Sequence, residues 1–231
     1  MKLFQKAQKS LSKDIETLKT LSMTQKFRFL LDYYKGYAFI LLCLILAGLY
    51  LAEVWMQARR ETVLEGFFTN DEENLFPAGR ISQEFSSFLG LSWQQQVIFD
   101  DSLYVELGSS IDYHTASQGK IVAYVSAREL DFLVTTKDLT DYYSKSFPLY
   151  DLEQLLPPDL ADRLDNNIYY IPDSNGVTKA CALSLQGSRF AGETHAQTAS
   201  PHYLMVFSYT EHQDAVIRFL EYAFDDNPIV P

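Results

Sequence analysis

The sequence predicts an α/β domain tethered by a single N-terminal transmembrane helix, and three observations carry this reading. One run without any charged residue, 36–52, is 17 residues long. Beyond residue 60, short β-rich runs alternate with amphipathic helical stretches. One of those runs, LDFLVTT at 130–136, is almost continuously apolar, as in strands buried on both faces of a parallel sheet. Strands alternating with helices imply a largely parallel sheet with right-handed crossovers, flanked by helices.

The uncharged run lies at the lower limit for crossing a bilayer, and Val54, Trp55 and Met56 extend it to about 20 residues, the usual spanning length. Tyr33, Tyr34 and Tyr37 on one side, with Tyr50 and Trp55 on the other, resemble interfacial aromatic belts. The chain thus divides into a basic amphipathic stub (1–35), a transmembrane helix (36–56), a linker (57–60) and an α/β domain (61–231). Residues 1–36 hold eight basic against three acidic side chains, whereas the whole chain has a net charge of −11. The positive-inside rule therefore places the stub in the cytoplasm and the C-terminal domain outside the cell membrane. Arg59 and Arg60 pull weakly the other way, against five lysines within the first twenty residues. A cleaved signal peptide would have a shorter charged region and small residues at its cleavage site, unlike Leu51-Ala52-Glu53. Cys43 lies in mid-run, where a lipid-attachment site is not expected, and reads as a small packing residue. Cys181 is then across the membrane from it, so the domain depends on its core, which at about 170 residues buries roughly 70% of the unfolded surface. The acidic balance excludes nucleic acid as a partner and disfavours a domain lying flat on anionic lipid.

In the stub, Leu11, Ile15, Leu18 and Leu21 recur at helical spacing among lysines, and Phe27, Leu30, Leu31 and Tyr34 form a second apolar face leading into the anchor. TVLEGFF at 62–68 reads as the first strand, closed by Thr69-Asn70-Asp71. A helix is expected over Ala78–Leu89, with Ser82 near its start, Phe85, Phe88 and Leu89 on one face, and Gly90 as its stop. QQVIFDD at 95–101 is the second strand. Residues 108–128 carry Ile111, Thr115, Gln118, Val122 and Val125 at helical spacing, interrupted by Gly119. After the strand at 130–136 come short helices at 137–144 and Pro158–Leu164, the latter opened by Pro157-Pro158-Asp159. IYYI, KACALSL and YLMVFSY are three further strands, with a polar loop at 187–200. In the last helix Thr210 and Gln213 form a T-x-x-Q capping box, and Val216, Phe219, Leu220 and Phe224 supply the apolar stripe.

The run AYVSARELDFLVTTKDLTDYYSKSFPLYDLEQLLPPDL resembles a segment of bacterial extracellular solute-binding proteins, in which a helix ending in a phrase like "asGelDv" leads into a strand. The matching pieces are Ala127-Arg128-Glu129-Leu130-Asp131, residues 132–136, residues 139–143 and Leu149-Tyr150-Asp151-Leu152. HYLMVFSYTEHQDAVIRFLEYAF is similar to a later strand and helix of such proteins. The resemblance covers about 61–225 and points to membrane-anchored, shortened relatives found in Gram-positive anaerobes. It implies a periplasmic-binding-protein-like fold and a binding role. Arg128 stands where glycine is usual, and the domain has about half the length of a two-lobed binding protein, so capture by closure of two lobes loses its basis.

In open α/β sheets ligands lie beyond the carboxyl ends of strands. By that rule Thr69, Asn70, Asp100, Asp101, Thr135 and Thr136 would converge on one rim, with Asn70, Asp100, Asp101, Thr135 and Thr136 as the candidate ligand-binding residues. Short polar residues of this kind hydrogen-bond a solute, yet they are also favoured in turns and helix caps whatever the function. Asp71-Glu72-Glu73 lacks the spacing of a calcium loop. The histidines 114, 195, 202 and 212 have no H-x-x-x-H pair, and G-x-S-x-G is absent, so no metal, cofactor or catalytic residue is expected. The aromatic residues of the domain, Tyr142, Tyr143, Phe147, Tyr150, Tyr169, Tyr170 and Tyr203 among them, would stack on sugars or anchor protein partners on a binding rim, but their placement in strands and helices reads for most of them as core or semi-buried. The function expected is non-enzymatic binding of a small solute or an envelope protein partner. The alternatives are a scaffold or assembly factor acting through anchor and stub and, with less support, an envelope hydrolase.

Overall fold

The computed structural model describes residues 23–57, 59–172, 178–190 and 201–225. The first stub helix, His195, most of the polar loop after residue 190 and Asp226 lie outside the described residues. The chain forms two units, Met1–Arg59 and Arg60–Pro231.

In the first unit, α1 (Met23–Gln57) is one helix of 35 residues, so the run KFRFLLDYYKGY and the anchor share a single element. Its window Phe39–Met56 has a mean hydropathy of 2.3 and is long and apolar enough to cross a membrane. Near the end of α1 the Arg59 guanidinium lies 3.7 Å from the centroid of the Trp55 ring, a cation–π contact.

The second unit is an α/β domain. Its elements are β1 (Glu61–Thr69), α2 (Ala78–Leu89), β2 (Gln95–Leu103), α3 (Asp112–Ala127), β3 (Phe132–Thr136), α4 (Lys137–Tyr143), α5 (Leu152–Leu155), α6 (Pro158–Leu164), β4 (Ile168–Pro172), β5 (Thr178–Ser184), β6 (His202–Val206) and α7 (Gln213–Ala223). The six strands form one mixed sheet in the order β2-β1-β3-β6-β5-β4. β1 pairs parallel with β2 and β3, while β6 runs antiparallel between β3 and β5, and β4 antiparallel on the edge. β1, β2, β3 and β5 therefore point the same way.

Alternation along the strands assigns side chains to two cores. Leu64, Phe68, Phe132, Val134, Leu204 and Val206 face α2 and α7, where they meet Ile81, Phe85, Val216, Phe219 and Leu220. Phe67, Leu133 and Met205 face α3 and α4, where they meet Ile121, Val125, Leu139 and Tyr143. β3 is buried on both sides, as its unbroken apolar run requires.

Several local expectations are corrected. α3 is continuous through Gly119, and its buried stripe is Ser117, Ile121 and Val125, while Ile111 and Val122 are exposed. Ser117 earns burial by placing its hydroxyl 3.3 Å from the Tyr104 amide. α7 has no capping box: its N-cap is His212, the Thr210 hydroxyl accepts from the His212 amide at 3.1 Å, and Gln213 donates to Tyr150 Oη at 2.5 Å. Ser82 lies inside α2 and donates to Val97 O at 3.0 Å.

Two helices end in left-handed residues. Gly90 takes φ 65° after α2, and Arg128 takes φ 60° after α3, its amide returning to Tyr124 and Val125 carbonyls. A residue with a Cβ is strained there by about 1–2 kcal/mol. Arg128→Gly is therefore expected to stabilise the domain by about 1 kcal/mol, seen as a higher midpoint of thermal unfolding; an unchanged or lower midpoint would refute the strain.

Candidate functional site

The order β2-β1-β3 puts a change of winding direction at β1, so the ends of β1 and β3 form the switch-point rim where α/β folds most often bind ligands. β6, antiparallel to β3, begins at the same rim, because Thr136 pairs with His202. The structure brings Thr69, Asn70, Thr135, Thr136 and His202 together there.

Their bonds run to one another and to neighbouring backbone and side chains of the domain. Thr69 Oγ1 lies 2.7 Å from Thr135 Oγ1 and 3.2 Å from Val134 O, and both threonines are fully buried. Asn70, at φ 58°, donates from Nδ2 to Val105 O at 2.9 Å and accepts from the Val105 amide at 3.0 Å. A side-chain amide thus replaces a missing rung between β1 and the segment after β2. His202 Nε2 stands 3.2 Å from Asn70 O, and its ring packs edge-on against Phe76 at 5.1 Å. Phe76 is turned back by Asp71, whose carboxylate accepts from the Leu75 and Phe76 amides at 2.7 and 2.6 Å. Thr136 holds the N-cap position of α4, and its carbonyl accepts from Thr140 Oγ1 at 2.9 Å.

Asp100 and Asp101 do not join this group. β2 runs on to Leu103, so both lie within the strand, and successive side chains point to opposite faces. Asp100 turns toward α3, accepting from Lys120 Nζ at 2.5 Å and from the Ser102 hydroxyl and amide at 2.6 and 2.8 Å. Burial pushes the Asp100 pKa upward, but Lys120 and Ser102 outweigh it and hold the carboxyl below its ordinary range. Asp101 turns toward α2 and accepts from the Ala78 amide at 2.8 Å, supplying the cap that Pro77 cannot. Both carboxylates hold helices on the sheet.

Beside the rim, residues 104–114 present Leu107, Ile111 and Tyr113 to solvent. The segment is braced: Tyr113 Oη donates to Ser102 O, Tyr104 Oη donates to Asp71 O at 3.0 Å, and His114 Nδ1 lies 3.1 Å from Ser109 Oγ and 3.3 Å from Glu106. Three exposed apolar side chains thus lie within seven residues, on the turn before α3 and on its first turn.

A second polar centre, at the opposite end of β3, escaped sequence reasoning. Asp131 is only 4% exposed. Its carboxylate accepts from the Glu65 amide at 2.7 Å and from the Thr210 hydroxyl, and lies 3.0 Å from His212 Nδ1. The partners come from segments 66 to 81 residues away, so no local spacing announces them. An imidazole oriented by a buried carboxylate is half of a proton-transfer relay. Among the described residues no serine, threonine or cysteine side chain bonds the His212 ring, and no cluster of three His, Cys, Asp or Glu is placed to hold a metal ion. The arrangement fastens the start of α7 to β1 and β3.

Glu65 lies beside this centre. Burial, with repulsion from Glu129 and Asp131 and partial relief from Lys120, raises its pKa to about 7. The folded domain then holds a proton that the unfolded chain, with its glutamate near 4.5, has released. Stability must therefore fall as pH rises from about 4.5 to about 7. Glu65→Gln is expected to flatten that slope and raise the thermal midpoint at pH 7.5. Melts of both proteins between pH 5 and 8 provide the check; parallel curves would contradict it.

No family model, curated protein or solved structure matches the chain.

Proposed function

We propose that the chain is a single-pass membrane protein with a cytoplasmic N-terminus, whose α/β domain is a non-enzymatic extracytoplasmic binding module for a protein partner in the envelope. The lysine-rich stub supports the orientation, and the apolar window in α1 supports the anchoring.

One contrast carries the choice of a protein partner over a small solute. Asn70 and Thr135 at the switch-point rim bond within the domain, whereas Leu107, Ile111 and Tyr113 beside it face solvent on the braced segment 104–114. A small polar solute needs convergent polar groups to replace its water. An apolar patch with an aromatic member instead suits a protein interface. The resemblance to solute-binding proteins is kept at the level of the fold, since fold alone does not fix function.

The test is a photo-crosslinking amino acid placed at Leu107, at Ile111 and, as a control, at the exposed Lys145 after α4, in the full chain in its native membrane. One discrete protein adduct from the first two positions and none from the control is expected, and Ile111→Asp in a chain labelled at Leu107 should abolish it. Absence of any adduct, together with a small-molecule mass retained by the purified chain, would overturn the reading in favour of solute capture.

A further inference from the structure

The chain holds two tryptophans, Trp55 in the last turns of the apolar window and Trp93 in the α/β domain. Trp93 is 66% exposed, among the most exposed large apolar side chains of its domain. Nothing in the fold needs it there, since the turn is closed by backbone and Gln95 bonds: the Gln95 amide donates to Ser92 O at 3.0 Å, and Gln95 Oε1 lies 3.3 Å from Ser92 Oγ. A single exposed apolar side chain is ordinary on a protein surface, so what Trp93 meets is decided by its place and its surroundings.

The Glu61 amide donates to Gln94 O at 2.8 Å, and Glu61 pairs with Gln95, so the turn bearing Trp93 is hydrogen-bonded to the first residue of β1. Only residues 57–60 separate β1 from Met56, where the apolar window ends. Fully extended, that link spans at most about 18 Å. Trp93 is thus tied by a short chain to the exit point of the membrane-spanning segment.

Charge supports the same partner. In a chain of net charge −11, the segment 90–98, Gly-Leu-Ser-Trp-Gln-Gln-Gln-Val-Ile, has no charged side chain. An acidic domain is repelled from an anionic surface, so any lipid contact must be made by a neutral element with an apolar tip. Indole, with its flat apolar body and single N–H, is enriched at the headgroup level of bilayers for this reason.

We propose that Trp93 is a second membrane contact: the turn 91–94 inserts its indole into the headgroup region of the leaflet from which the chain emerges, fixing the domain close to the bilayer. This rests on the anchored reading of α1. The contact would restrict the domain to a subset of orientations about the linker 57–60.

The two-tryptophan composition gives a direct test. Full-length Trp55→Phe, with Trp93 as its single indole, and Trp93→Phe, with Trp55 as its single indole, are reconstituted into zwitterionic phosphatidylcholine vesicles with and without brominated acyl chains. Trp93 is expected to emit at shorter wavelength than in the urea-unfolded chain, to lose emission to lipid brominated near the headgroup, and to be shielded from aqueous iodide. If Trp55 is quenched by brominated lipid while Trp93 answers only to iodide, the second contact is overturned and the anchor stands. If neither answers to brominated lipid, the anchored reading falls and the proposal falls with it. A matching circular dichroism spectrum for both variants confirms that the fold is retained in the comparison.

Discussion

Gly66→Ala is expected to destabilise the α/β domain by about 3 kcal/mol or more, beyond what a helix-surface glycine would cost. Gly66 lies in β1 directly beside Phe132 of β3, and the Phe132 ring lies over the space a side chain would occupy. A Cβ built on Gly66 would stand 2.1 Å from the ring's Cζ and 2.4 Å from Cε1. The ring cannot swing aside, because Phe219 stacks on it at 4.9 Å while Phe99 and Phe68 close its edges at 5.6 and 5.9 Å. The strand pair must then separate or the aromatic cluster must repack. Since whole domains are stable by only about 5–15 kcal/mol, the loss is a large share of the total. Thermal unfolding of the full chain in mild detergent, followed by near-ultraviolet circular dichroism, measures it. A midpoint within a degree or so of the wild type, equivalent to a few tenths of a kcal/mol, would mean that the ring is free to move and the packing argument is wrong.

The sequence made such features legible only where the cause was local. α2 was expected over Ala78–Leu89 and is found there, because Gly90 supplies the left-handed residue that stops it. α6 begins at Pro158 for an equally local reason, proline at the first turn. The strand β2 was expected to end at Asp101; it continues to Leu103, and each of the two adjacent carboxylates finds a partner on its own face, 20 and 23 residues away. The stripe of α3 was misplaced because a serine is buried and an isoleucine exposed, and both follow from tertiary neighbours. The insertion of β6 between β3 and β5 has no local signal at all. At the rim, composition drew attention to Asn70, Thr135 and Thr136 and did bring them together, but only the structure shows Asn70 and Thr135 bonded within the domain. Asp131 and His212 lay hidden for the converse reason, their meeting being set by the whole sheet.

Phe219→Ala should match or exceed the glycine substitution, at about 3–5 kcal/mol, and the two together should show how the core is coupled. Phe219 projects from α7 into the cluster and contacts Phe132, Phe85, Phe99 and Phe190 with centroids 4.9, 5.2, 5.4 and 5.9 Å away. Truncation removes the aromatic surface and leaves a cavity beneath β3, which the neighbouring rings, two stacked on Phe219 and two edge to face with it, fill only in part. That cavity opens beside the Phe132 ring, on which Phe219 stacks. In the double variant Phe132 gains room to retreat from the new Cβ, so the combined loss should fall short of the sum by 1 kcal/mol or more. Contacting residues that share a cavity commonly show interaction energies of about 0.5–3 kcal/mol. A strictly additive cycle would show that Phe132 is held by its strand and not by Phe219. Phe219→Leu separates lost volume from lost ring geometry: it restores much of the volume without the stack, and should recover about half of the alanine penalty while relieving Gly66→Ala less.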